Sequence, residues 1–233
     1  MNPFQPSNST DLGRFAQKYR VDQSKTTMRE FRDLSGSRLL GPLYWLALQT
    51  GLVKMNAQVV DGPRPFAEDR CEPNEILEPV YSHFMKMIED AKKLGFHSEY
   101  FSACKTNRPV VNGGTVRMLH QSKNSFLQII ASSTGEIFAS YEIVVSASKT
   151  KPIAYASTNG APNYNPVDSL KTFRHVDMPL DQLVETHAQS MDEIDDEFLT
   201  FESFDNVGLV LDHVANLYYQ DKIDRKILVA ESS

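Results

Sequence analysis

Between Ile137 and Ser148 the chain alternates. Ile137, Ala139, Tyr141, Ile143, Val145 and Ala147 are apolar, and Ser140, Glu142, Ser146 and Ser148 are polar, with Phe138 and Val144 breaking the rule. Period two over so long a run predicts a strand with one buried and one wetter face, Ile137, Tyr141, Ile143 and Val145 inward and Ser140, Glu142 and Ser146 outward. A β-prone run at Phe126–Ser132 precedes it, joined through Ser133-Thr134-Gly135-Glu136, which reads as a hairpin. Further β-prone runs lie at Tyr100–Lys105, Thr115–His120, Ile153–Ser157 and Thr172–Val176. Strand follows strand with no room for crossover helices, so the sheet is expected to be antiparallel.

Helical periodicity flanks these runs on both sides. Val80, Phe84, Met87, Ile88 and Ala91 form an apolar stripe after Glu78-Pro79, with Lys92, Lys93 and Gly95 supplying the ending. A second stripe, Leu180, Leu183, Val184, His187, Met191, Ile194 and Phe198, follows Met178-Pro179. A third runs from Asn206 to Ile223 with Val207, Val210, Leu211, Val214, Leu217 and Tyr218 inward. Residues 11–35 carry short helical patterns, including Leu12, Phe15, Ala16 and Tyr19. The expectation is an α+β fold: a meander-like antiparallel sheet of five or six strands covered by helices on one face, with a helical N-terminal arm. Residues 1–10 read as a disordered leader, 11–60 as the arm, 61–74 as a Pro/Gly-punctuated linker and 75–233 as the α+β domain.

From Leu39 to Val53 runs a segment of fifteen residues without charge, bracketed by Arg38 and Lys54. A spanning helix needs about 20 apolar residues. This one is expected to bury its side chains in the protein or a partner, or to lie on a membrane surface without crossing it.

Composition narrows the function classes. With 233 residues, 41% hydrophobic, the chain is long and apolar enough for a real core. A net charge of −6 argues against nucleic acid as a partner. The charge is uneven: residues 1–38 hold seven Lys/Arg against four Asp/Glu, and 181–205 hold nine Asp/Glu and no Lys/Arg. Protein partners are therefore expected through the acidic 181–205 face or the apolar 39–53 helix. Two cysteines, Cys71 and Cys104, make no disulfide framework, and the N-terminus lacks a secretory pattern. Both favour a reducing, cytoplasmic setting, with peripheral membrane contact as the alternative.

Candidate chemistry is sparse. His187 sits inside an apolar stripe, where an imidazole must find hydrogen-bond partners; it reads either as a core histidine or as a poised base. His120 and Cys104 end predicted strands, and a Cys–His pair can activate a thiolate, though nothing in the sequence joins these two. The acids of Asp192-Glu193-Ile194-Asp195-Asp196-Glu197 are expected on one helix, without the loop geometry a hard cation requires. No phosphate-binding, metal or hydrolase signature occurs, so neither cofactor nor metal is expected. The reading is a non-enzymatic binding or protein-interaction domain. The alternatives are a small hydrolase or isomerase using His187, and a membrane-surface scaffold using residues 38–54.

Leu94-Gly95-Phe96 at a helix end, the Ser-Thr-Gly-Glu hairpin, Ala156-Ser157-Thr158-Asn159, the Pro-rich loop leading to Leu180-x-x-Leu183-x-x-x-His187, and the opening Asn-Pro-Phe-x-x-Ser are carried by about residues 75–190 and the N-terminus. Together they resemble a group of uncharacterised bacterial proteins with a helix–antiparallel sheet–helix domain. The resemblance implies that fold and an N-terminal part associated with membranes, and it implies no activity.

Overall fold

The computed structural model describes residues 2–4, 17–28, 30, 40–50, 52, 58–63, 65–103, 112–134, 137–160 and 167–231. Cys104 and Gly135-Glu136 lie outside them, as does most of the expected leader. In chain order the described elements are β1 (Lys18–Val21), α1 (Leu40–Gln49), β2 (Gln58–Asp61), α2 (Val80–Lys93), β3 (Phe96–Ala103), β4 (Asn112–His120), β5 (Phe126–Thr134), β6 (Ile137–Ala147), β7 (Ala154–Thr158), β8 (Leu170–Arg174), α3 (Leu180–Asp192), α4 (Phe204–Asp224) and β9 (Leu228–Ala230). The fold is α+β. The chain groups into two compact units: residues 1–5, 65–161 and 168–212, and residues 6–64, 162–167 and 213–233.

The first unit is built on a six-stranded sheet in the order β3-β4-β5-β6-β7-β8. The first five strands pair antiparallel, and the expected hairpin joins β5 to β6 with Thr134 opposite Ile137. The last pair departs from a meander, because β8 runs parallel to β7. Val80, Phe84, Ile88 and Ala91 of α2 recur at helical spacing and bury against Phe101, Val116, Met118, Leu127 and Ile129. The helix stops where Gly95 takes φ +87, a conformation that disfavours any side chain. Leu183, His187 and Met191 are the buried stripe of α3.

The alternation read in β6 is not an alternation of burial. Ile143, Val144, Val145, Ser146 and Ala147 are all 4% exposed or less, whereas Ala139 and Ser140 are exposed. The strand is open at its start and enclosed at its end. The cause is cover on both faces. Helices α2 and α3 lie on the face of Val116, Leu127 and Val144. On the other face Tyr100 stacks on Phe66 (4.4 Å) and meets Phe204 (5.2 Å), and Phe126 meets Phe201 edge-on (5.1 Å). The expectation of helices on one face only is therefore corrected. Within the expected linker 61–74, Phe66 and Cys71 are buried.

The second unit holds a three-stranded antiparallel sheet, β2-β1-β9, with β1 in the centre. Tyr19, expected on a helix, lies in β1, buried near Tyr219 of α4. Periodicity over four residues cannot separate helix from strand, and pairing to both neighbours decides it. The arm joins the chain's other end because β1 pairs with β9 and because Glu30 is held by α4. Glu30, its side chain 6% exposed, accepts hydrogen bonds from Lys222, from both terminal nitrogens of Arg225 and from Thr27. Burial alone would raise its pKa, but these donors outweigh it and hold the carboxylate well below its usual range.

Two outcomes test this architecture. Ile143→Ala should cost about 2–5 kcal/mol in chemical denaturation, as for an aliphatic side chain enclosed by its neighbours. Glu30→Gln should cost about 3–5 kcal/mol, because Lys222 is left buried without its counter-charge. Since Glu30's folded pKa lies below the unfolded value of about 4.3, its contribution is present above that pH and is lost as the pH falls toward the folded pKa.

Candidate functional site

His187 projects from α3 onto the α2/α3 face of the sheet, between β6 and β7. In the β6–β7 register Ser146 lies opposite Tyr155 and Val144 opposite Ser157, so Ser146 and Ser157 are diagonal neighbours on that face. The imidazole fits between them: Nε2 is 3.0 Å from Ser146 Oγ and Nδ1 is 2.9 Å from Ser157 Oγ. The Ser146 hydroxyl donates its one proton to the carbonyl of Asn124 (2.9 Å), so it can only accept from the ring. This assigns the proton to Nε2 and leaves Nδ1 to accept from Ser157. His187 is 3% exposed and Ser157 fully enclosed. Burial, reinforced by the nearby His175, lowers the imidazole's pKa to about 4, so the ring is neutral at pH 7.

The Ser157–His187 contact has the spacing of a nucleophile and its base. Here every ring nitrogen and both hydroxyls are engaged inside the core, and the visible consequence is mechanical: α3 is fastened to two strands and, through Asn124, to the β4–β5 turn. Sequence reading identified His187 but assigned Ser146 to a wetter face, so its hydroxyl partners were missed.

His120 belongs to a separate arrangement. Its Nε2 donates to the Leu94 carbonyl (3.2 Å), its Nδ1 is 2.6 Å from Ser122 Oγ, and the ring meets Phe96 edge-on. It closes the turn after β4 against the end of α2, and no hydrogen bond joins it directly to His187. The third candidate, Cys104, lies outside the described residues.

The acids of 192–197 do not share a helix. α3 ends at Asp192, and the following residues pass through a turn and bends to Phe198, which forms an isolated bridge with Ser148. Asp196 accepts from Thr150 Oγ1 (2.8 Å) and the Glu197 N–H (2.9 Å), and Lys149 pairs with Glu197 (2.9 Å). These acids pin the 148–151 turn. Among the described residues no group of three or more His, Cys, Asp or Glu side chains could hold a metal ion.

Sequence reading passed over Arg117, which is buried on the opposite sheet face. Its Nε donates to Gln128 (2.9 Å), its Nη1 to Ser102 (2.7 Å), and its guanidinium lies 5.0 Å above the Phe66 ring. Tyr100 donates to the Phe66 carbonyl (2.6 Å), and Asp212 accepts from the Phe66 N–H (2.8 Å). Burial raises the Asp212 pKa against the pull of that N–H and of Arg117. The available signal was a lone charge between Val116 and Met118 in a β-prone run. At the open end of β6, Asn159 brackets Glu142, accepting from its N–H (2.8 Å) and donating to its carboxylate.

The chain matches no protein-family model, and comparisons with curated proteins and with solved structures found no match.

The sealed imidazole carries a pH dependence. Its folded pKa, about 4, lies below the unfolded value of about 6.5, so stability is full above the higher value and falls by about 3 kcal/mol as the pH drops from one to the other. Chemical denaturation of the native chain and of His187→Gln across this range checks it. The variant should be less stable at neutral pH and should lose this segment of the pH dependence; an identical slope in both would refute the assignment.

Proposed function

We propose that the chain is a non-enzymatic α+β binding or protein-interaction domain, and that its partner docks on the outward face of α1. One observation carries this reading. Leu43 is 65% exposed and Leu46, one turn on, 54%; Tyr44 is also exposed, and Leu52 beyond the helix is 83% exposed. The helix is fixed from its other side, where Trp45 Nε1 donates to the Thr26 carbonyl (2.8 Å), Gln49 Nε2 donates to the Ser24 carbonyl (2.6 Å) and Leu48 is buried. Contiguous apolar side chains held in water by a seated helix mark an interaction surface. Of the alternatives expected for 39–53, burial in the protein, burial in a partner or a place on a membrane surface, the exposed leucines favour an external surface.

The acidic segment is a weaker docking surface, because Lys149 and Lys151 already face Glu197 and Asp196. The hydrolase or isomerase reading would need His187 to meet a substrate, and the imidazole, Ser146 and Ser157 are nearly sealed from solvent. Among the described residues no helix is long and apolar enough to cross a membrane. The low cysteine content supports a cytoplasmic setting for this domain.

Fluorescence of the apolar dye 1-anilinonaphthalene-8-sulfonate tests the docking face. The native chain should enhance the dye, and L43E combined with L46E should reduce that signal without moving the unfolding midpoint. An unchanged signal, or a midpoint that collapses because these leucines are core, would overturn the reading.

A further inference from the structure

We infer that a second copy of this chain docks on the free edge of β6, its own Ile137–Ser140 run pairing antiparallel with this one about a twofold axis. The edge follows from the register. β5 pairs with β6 from Ile137 to Val145, but β7 pairs only with Ile143–Ala147. The line of β7 reaches two residues further. The Asn159 N–H donates to the Glu142 carbonyl (3.3 Å), and Asn159 Oδ1 accepts from the Glu142 N–H (2.8 Å). Gly160 then lies against Tyr141, where an added Cβ would collide with the Tyr141 Cβ, so the chain leaves the plane of the sheet. Beyond that point no described residue pairs with β6 on this side. Successive strand residues turn their backbone groups to opposite edges. Glu142 bonds toward β7, and so does Ser148, whose N–H donates to the Ile153 carbonyl (2.9 Å). Ser140 and Phe138 therefore turn their N–H and C=O groups the same way, and those of Ser140 meet no partner among the described residues.

Two observations select a second copy as the occupant. The first is that the run is unguarded. Exposed strand edges are ordinarily protected by charge, proline or a bulge. The two outer strands of this sheet have such protection. β3 carries Glu99 and a register shift between His97 and Tyr100, and the Cys71 N–H already occupies its Phe101 carbonyl (2.9 Å). β8 presents Lys171 and Arg174 to solvent. From Ile137 to Tyr141 the sequence is Ile-Phe-Ala-Ser-Tyr, β-prone, uncharged, without proline and in unbroken register with β5. Ala139 and Ser140 fall on opposite faces and both are exposed, so neither face is covered there. The second observation is neutrality itself. Pairing about a twofold axis sets a run against its own sequence, where charged side chains meet their own sign and uncharged ones meet no such penalty. A charged peptide would find no counter-charge within the run, whereas an identical run supplies outward N–H and C=O groups at matching spacing.

The test uses the full chain. Four residues a side pair over about 13 Å, so a weak, reversible dimer is expected in sedimentation velocity between about 10 µM and 1 mM. Amide hydrogen exchange by NMR over the same range locates the contact: the Ser140 amide, unpartnered in the monomer, should exchange more slowly as the dimer fills. Ser140→Pro removes the outward N–H from both copies. Ser140→Lys keeps that N–H and sets like charges across the axis. Each should weaken association by about tenfold or more, and the unfolding midpoint of each checks that the fold is kept. L43E with L46E, on α1, should leave the dimer in place. A monomer at every concentration overturns the inference, as does a dimer whose Ser140 amide exchanges freely or that survives Ser140→Lys. A dimer abolished by L43E/L46E would move the contact to α1 and overturn it too. If the chain stays monomeric while the dye signal still depends on Leu43 and Leu46, the β6 inference fails and the α1 docking face stands.

Discussion

A sheet enclosed on both faces leaves no room for a polar atom that water must satisfy. The enclosed half of β6 and its neighbours β5 and β7 nevertheless carry Ser146, Gln128 and Ser157, and β4 carries Arg117, all buried. Desolvation of each such group costs free energy unless another group replaces the lost water. The two faces solve this differently. On the α2/α3 face a neutral imidazole takes one hydroxyl proton and gives one of its own, so a short chain of hydrogen bonds runs from Ser157 through His187 and Ser146 to the backbone of Asn124. On the opposite face a guanidinium is shared among an amide, a hydroxyl and two aromatic rings, with Asp212 close enough to feel its charge.

That difference explains why the candidate residues read as they do. Neutral His187 closes its network only in one tautomer, and a charged ring would lose its acceptor nitrogen and repel its surroundings. Arg117 cannot lose its charge, so it needs a cradle with several acceptors and polarisable rings. Neither arrangement turns a reactive atom toward solvent. Among the described residues, the helix Leu40–Gln49 carries exposed leucines that no internal argument about the sheet requires.

The β-hairpin, the helix ending at Gly95 and the α3 stripe were legible in the sequence because each depends on local periodicity or a single backbone requirement. Cover on the second sheet face was not. It is supplied by Phe66 and Phe201, which lie in short segments without a period, and by Phe204, which opens α4 just before the stripe read from Asn206. For the same reason Ser146 read as a wet position: period two reports which residues share a face, and says nothing of what lies over it. His187 was legible as an anomaly, a polar residue in an apolar stripe, whereas its partners were ordinary serines in strands. Tyr19 was misread as helical because the partner that makes it a strand residue, β9, is at the other end of the chain.

The central claim is that the polar groups of the doubly covered sheet satisfy one another internally, with His187 neutral and protonated on Nε2. Nitrogen-15 NMR of the His187 ring in the folded chain reads this directly. The account requires a pyrrole-type resonance for Nε2 and a pyridine-type resonance for Nδ1 at neutral pH, persisting into mildly acidic solution. Protonation of both nitrogens near neutral pH, or the opposite tautomer, would contradict it.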